Sequence, residues 1–208
     1  MKKGYELTYN WVMDLLQSCD FKESAKRLNL RLSGDAVMIA FLGRTYAVSK
    51  EAIRLAEEKI LWLSKKEGYE YHVKSVLGYY LLSEADAEPQ NDFCTLAHFS
   101  HGIFENRELS GDRLTSVFGA DYNKFRKAAE KLSMRFEGEK SSGQYVWSYL
   151  LLPKIPIKIV YYEGDEDYPA KVQVLYDKTA ILFFKFEPLA VLHGSFIEGF
   201  AAVGETEQ

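Results

Sequence analysis

The chain reads as an α+β fold: a largely antiparallel sheet packed against several helices, with a C-terminal helix closing over one face. Three observations predict it. The hydrophobic period changes between helical and alternating in blocks, not in strict βαβ order. Tight-turn residues join successive alternating runs, as an antiparallel sheet requires. The final segment carries Leu189, Leu192, Phe196 and Phe200 at helical spacing, with Val191 and Ile197 widening the stripe.

The elements follow in order. Trp11, Val12, Leu15 and Leu16 recur at helical spacing and predict a helix over 5–16. A short second helix is expected over 22–28. The period then changes: 36–42 is a β-like run, Gly43-Arg44 a turn, and 45–48 the return strand. Residues 30–32 supply a further strand before Ser33-Gly34-Asp35. Ser49 is a suitable N-cap for a helix from Lys50 to Leu63. A helix over 72–85 presents Val73, Val76, Leu77, Tyr80 and Leu81 on one face.

Pro89 and Asn91 make 86–92 a loop, and 92–96 is a short strand. Ser110 starts a helix that Gly119 ends, and Asp121 caps the next, whose stripe is Phe125, Ala128, Ala129 and Leu132. Strands follow over 144–152, 157–162 and 170–176. Glu187 as N-cap and Pro188 at the first helical position begin the closing helix. No Gly/Ser- or Pro-rich linker interrupts the sequence, so one domain over 1–208 is expected.

With 47% hydrophobic and 14% aromatic residues in 208, the chain can bury a core without disulfides or a structural metal. The formal charge is −4. The most basic stretches, 22–31 and 124–131, lie on amphipathic helices and read as solvated faces, so nucleic acid is not an expected partner. Cys19 and Cys94 are far apart and form no C-x-x-C pair, so two thiols are expected. The N-terminal lysines precede no apolar run, and no stretch has the length of a membrane span. A cytoplasmic protein without membrane association is expected.

The densest chemistry is Glu163-Gly164-Asp165-Glu166-Asp167-Tyr168-Pro169, with Asp177 a strand later. One reading is a polar hairpin turn with an Asx-type cap. A second is an oxygen-rich site for Mg²⁺ or Ca²⁺ on Asp165, Asp167 and Asp177. A third is an acidic lip, Glu163 and Glu166, for a protein partner. Cys94, His98 and His101 offer three zinc-type donors but no fourth nearby. The serines lack a G-x-S-x-G elbow, and Ser195 is expected to bond a backbone carbonyl within the closing helix. The isolated glycines form neither a P-loop nor a dinucleotide fingerprint. Trp147, Tyr149, Tyr161, Tyr162, Phe183, Phe184 and Phe186 read first as core and second as the wall of a flat-ligand cavity.

Leu151-Leu152-Pro153-x-Ile155-Pro156, then Gly164-Asp165-Glu166-Asp167-Tyr168-Pro169-Ala170, then Leu175-Tyr176-Asp177, resemble in order the motifs of an uncharacterised family found mainly in strict anaerobes. Phe41-Leu42-Gly43-x-x-Tyr46, Gly78-Tyr79-Tyr80-Leu81-Leu82 and Phe118-Gly119-Ala120-Asp121 are similar to it too. The resemblance covers nearly the whole chain. Some relatives carry an added segment with cysteines spaced for an iron–sulfur cluster, which this sequence lacks. His98 and His101 stand where the family shows small residues. The resemblance highlights Asp165, Asp167 and Asp177 but implies no activity or cofactor.

Three functions follow as expectations. The first is a non-enzymatic accessory or binding domain in anaerobic metabolism that contacts a protein partner. The second is a Mg²⁺- or Mn²⁺-dependent enzyme using Asp165, Asp167 and Asp177. The third is a binder of a flat aromatic or tetrapyrrole-like ligand.

Overall fold

The computed structural model describes residues 3–100 and 111–207. Among them, two antiparallel sheets and seven α-helices make a mixed α+β fold. The first half begins with α1 (Gly4–Leu16) and α2 (Phe21–Arg27). A four-stranded meander follows: β1 (Arg31–Ser33), β2 (Ala36–Phe41), β3 (Arg44–Val48) and β4 (Ile53–Glu58). Leu42 and Gly43 form the β2–β3 turn, both with positive φ, 50° and 75°. That pair matches the right-handed strand twist of a two-residue hairpin.

After α3 (Tyr69–Leu81), β5 (Phe93–Thr95) enters the second sheet. A 3₁₀ turn (Leu96–Ser100) follows, and α4 (Gly111–Phe118) and α5 (Tyr122–Lys131) lead to β6 (Arg135–Ser141), β7 (Gln144–Leu152), β8 (Ile155–Tyr162) and β9 (Lys171–Asp177). The sheet order is β5-β9-β8-β7-β6. One short helix, α6 (Ala180–Phe183), precedes the closing helix α7 (Phe186–Glu205).

The buried side chains of both sheets and of α1, α2, α3, α4, α5 and α7 join in one contiguous cluster. β8 alternates toward it through Ile155, Ile157, Ile159 and Tyr161. α7 drives Leu192, Phe196, Phe200 and Val203 into the same cluster. Close approach needs small residues at two seams. A Cβ on Gly78 of α3 would lie 2.3 Å from Val12 Cγ1 on α1. One on Gly199 of α7 would lie 2.4 Å from Leu42 Cδ1. Real Cβ atoms do not sit so near, so glycine lets these backbones meet.

The structure corrects three expectations. Residues 50–63 are not a helix. Ser49 Oγ accepts the N–H groups of Glu51 and Ala52 in a tight turn, and β4 then pairs with β3. β4 is an edge strand that exposes Arg54, Glu57 and Glu58, charges that protect an open edge. β6 is a strand that hydrophobic alternation does not predict, since RFEGEKS lacks it; it is held by pairing with β7. α7 begins two residues early, with Lys185 as its N-cap. Pro188 is tolerated there because first-turn N–H groups have no helical acceptor. Ser110, expected to start a helix, lies outside the described residues, as does His101.

Candidate functional site

The acidic segment folds as a closed turn. Tyr162 pairs with Lys171, so 163–170 joins β8 to β9. Asp165 Oδ1 accepts the N–H groups of Asp167 and Tyr168 at 2.9 and 2.7 Å, and Asp165 N donates to Tyr168 O at 2.8 Å. Gly164 lets the loop close: a Cβ there would lie 2.7 Å from Ala170 N. Glu163 accepts the Tyr145 hydroxyl at 3.3 Å, and Glu166 is exposed.

Asp177 sits at the other end of β9. Six residues separate it from Lys171, about 20 Å along an extended strand. It is fully buried. Its oxygens accept Thr179 N at 3.0 Å, Thr179 Oγ1 at 2.7 Å, Gln90 N at 3.3 Å and Asn91 N at 2.6 Å. Burial alone would raise its pKa; these hydrogen bonds outweigh burial and hold it below the ordinary carboxylate range. The structure therefore brings Asp165 and Asp167 together and keeps Asp177 away. Among the described residues no group of three or more His, Cys, Asp or Glu side chains converges.

The other sequence candidates are also placed. Cys19 and Cys94 are free thiols. Burial pushes the Cys94 thiol up to about 11, so it is protonated at neutral pH. The C-terminal aromatics are engaged within the core. Tyr122 and Phe125 of α5 pack on Tyr145, Trp147 and Tyr161, and Phe118 and Phe200 complete that cluster. Phe183 and Phe184 pack on Tyr80. His193 lies beside Tyr176, ring nitrogen to hydroxyl 3.1 Å.

A different place has the makings of a site. α3 and α7 pack antiparallel, tied by Tyr69 Oη donating to Ser195 O at 2.9 Å. Two clefts of about 260 and 390 Å³ open along this seam. They share His72 and Val191. The smaller runs past Lys66, Tyr69, Ala190 and Ser195. The larger runs past Ser75, Val76, Tyr79, Pro188 and the first turns of α1 at Gly4, Tyr5 and Thr8. Along α3 the lining spans Tyr69 to Tyr79, about 15 Å at the helical rise.

Two hydroxyls distinguish this seam. Ser75 Oγ and Ser195 Oγ are buried and have no hydrogen-bond partner. Both residues line the clefts and are 2% and 3% exposed. The expected bond from Ser195 to a backbone carbonyl is absent. Buried hydroxyls are normally paired, because leaving one unpaired costs roughly 1–3 kcal/mol. His72 lines both clefts, its ring in edge geometry with that of Tyr5, centroids 5.8 Å apart. Burial first and the Lys66 charge second hold its imidazole below the ordinary histidine range, so it is neutral at pH 7. The seam is weakly marked in the sequence. The available signal was a serine within each of two otherwise apolar helix faces, but only the packing of α3 on α7 brings both to one seam.

The fold and the seam define a two-sheet α+β protein with a small-molecule-sized cleft beside its closing helix. The chain belongs to the family described as Domain of unknown function (DUF3786), whose model matches residues 20–198. No curated protein and no solved structure matches it. No helix among the described residues is long and apolar enough to cross a membrane.

Proposed function

We propose that this protein is a binding domain, not a catalyst, and that its ligand lies in the α1/α3/α7 seam. One observation carries the reading: Ser75 and Ser195, whose hydroxyls are buried and unpartnered, each line one of two adjoining clefts. A ligand that hydrogen-bonds to both supplies what the fold leaves out. The lining fits this use, since apolar walls with few convergent polar groups typify small-molecule sites. The accessory role in anaerobic metabolism rests on the family resemblance of the motifs.

The test is an amide NMR titration of the full chain with hexan-1-ol, a neutral probe. Shifts concentrated at His72, Val76 and Val191 are expected. Val191 borders both clefts, so Val191→Trp is expected to abolish them. Shifts elsewhere, or shifts that survive Val191→Trp, contradict the reading.

A further inference from the structure

The seam is electrically polarised along its length. At one end stand Lys66 and the N-terminus of α3. At the other stands Glu187. Among the described residues Lys66 forms no ion pair, whereas the carboxylates nearest it are occupied. Glu67 is held by Lys3, and Glu70 by Arg44 at 3.1 Å. A helix N-terminus carries about half a positive charge and unsatisfied N–H groups. α3 has 13 residues, with Gly68 at φ 73° turning the chain into it. Tyr5 packs against Gly68 and closes that corner. Ser195, whose Oγ is buried and unpartnered, lines the same cleft as Lys66 and His72.

Between the ends the walls are largely apolar: Ala190, Val191, Val76, Tyr79 and Pro188. Resting on the binding-domain reading, we infer that the ligand is an amphipathic anion charged at one end only. Its oxyanion head sits by Lys66, in the positive field at the start of α3, and accepts a hydrogen bond from Ser195 Oγ. Its apolar body runs along α3 and α7 past Ser75, whose hydroxyl takes a polar group on the body. Glu187 repels a second anion at the tail. The arrangement asks for opposite polarity from a cationic amphiphile, and for one anionic end only.

Calorimetric titration of the full chain at pH 7.5 tests this, with each probe below its micellar concentration. The probes are decanoate, decyl phosphate, decan-1-ol, decylamine and decanedioate. Decanoate or decyl phosphate is expected to bind at least tenfold more tightly than decan-1-ol; the tighter of the two identifies the head. Decanedioate is expected to bind more weakly than decanoate. Lys66 is exposed, so Lys66→Gln leaves the fold intact; it should weaken the anions about tenfold and leave decan-1-ol unchanged. Ser195→Ala should weaken the anions several-fold.

Equal binding of decan-1-ol and decanoate, tighter binding of decylamine, or indifference to Lys66→Gln overturns the anion inference. The cleft reading then still stands if hexan-1-ol shifts the seam amides. Silence of every probe, hexan-1-ol included, overturns both.

Discussion

The Asp177 carboxylate accepts the backbone N–H of Asn91 at 2.6 Å, across 86 residues of chain. With Thr179 and Gln90 also donating, this one side chain ties the 86–92 loop to the end of β9. Replacing it by Ala leaves buried N–H groups unpaired, so Asp177→Ala is expected to cost roughly 2–4 kcal/mol by urea denaturation. The pH dependence has a definite sign. A carboxylate depressed on folding contributes stability above its unfolded pKa and loses it as pH falls through the folded value. The loss therefore falls below about pH 4. Asp177→Asn is expected to be less stable at pH 7 and to show a shallower acid limb there.

Asp177 is some 20 Å from the loop that holds Asp165 and Asp167. Three carboxylates so divided cannot share one ion. Millimolar Mg²⁺ or Mn²⁺ is therefore expected to leave the melting temperature unchanged, since a cation held by the native state alone would raise it. A rise that Asp165→Asn abolishes contradicts this.

Gly78 and Val12 set the distance between two walls of the seam. A Cβ on Gly78 collides with Val12 Cγ1 at 2.3 Å. Overpacking costs about 1–3 kcal/mol, against a helix-propensity gain near 1 kcal/mol for Gly→Ala. Gly78→Ala is expected to lose about 1 kcal/mol net. In combination with Val12→Ala the two should couple, the double variant losing at least 1 kcal/mol less than the sum of the singles. Denaturant melts of the four proteins of the cycle measure it.

Arg44 is 5% exposed and bridges Glu58 at 2.7 Å and Glu70 at 3.1 Å. Its guanidinium also lies 3.9 Å from the Trp62 ring centre and bonds Trp62 O. It thereby fastens the 59–68 segment that brings Lys66 to the seam. Lysine has a point charge and no planar fork, so it cannot serve all three partners. Arg44→Lys is expected to cost roughly 2–4 kcal/mol and to speed amide exchange at Trp62 and Leu63. Unchanged exchange would separate Arg44 from the loop.

Much of the fold was legible because local signals agreed. Asp121 caps α5 through Lys124 N, as its place before an apolar stripe implied. Gly43 makes the hairpin turn at φ 75°. The exceptions have physical causes. Residues 50–63 carry helical spacing, but the unpaired edge of β3 captured Ile53–Glu58 as a strand. β6 is too polar to announce itself and exists because β7 offers an edge. The site was least legible. The residues that stood out, Asp165 and Asp177, hold backbone N–H groups, whereas Ser75 and Ser195 stand 120 positions apart until α3 meets α7. A hydroxyl's lack of a partner is a tertiary property that no spacing reveals.

The most direct measurement is the stability of the ligand-free Ser75→Ala/Ser195→Ala variant beside its affinity for decanoate. If the hydroxyls serve a ligand and not the fold, removing them should leave stability unchanged or raise it, by roughly 1–2 kcal/mol with the better helix propensity of Ala. Decanoate affinity should fall at least tenfold. A variant that is destabilised, with decanoate binding intact, would contradict the account.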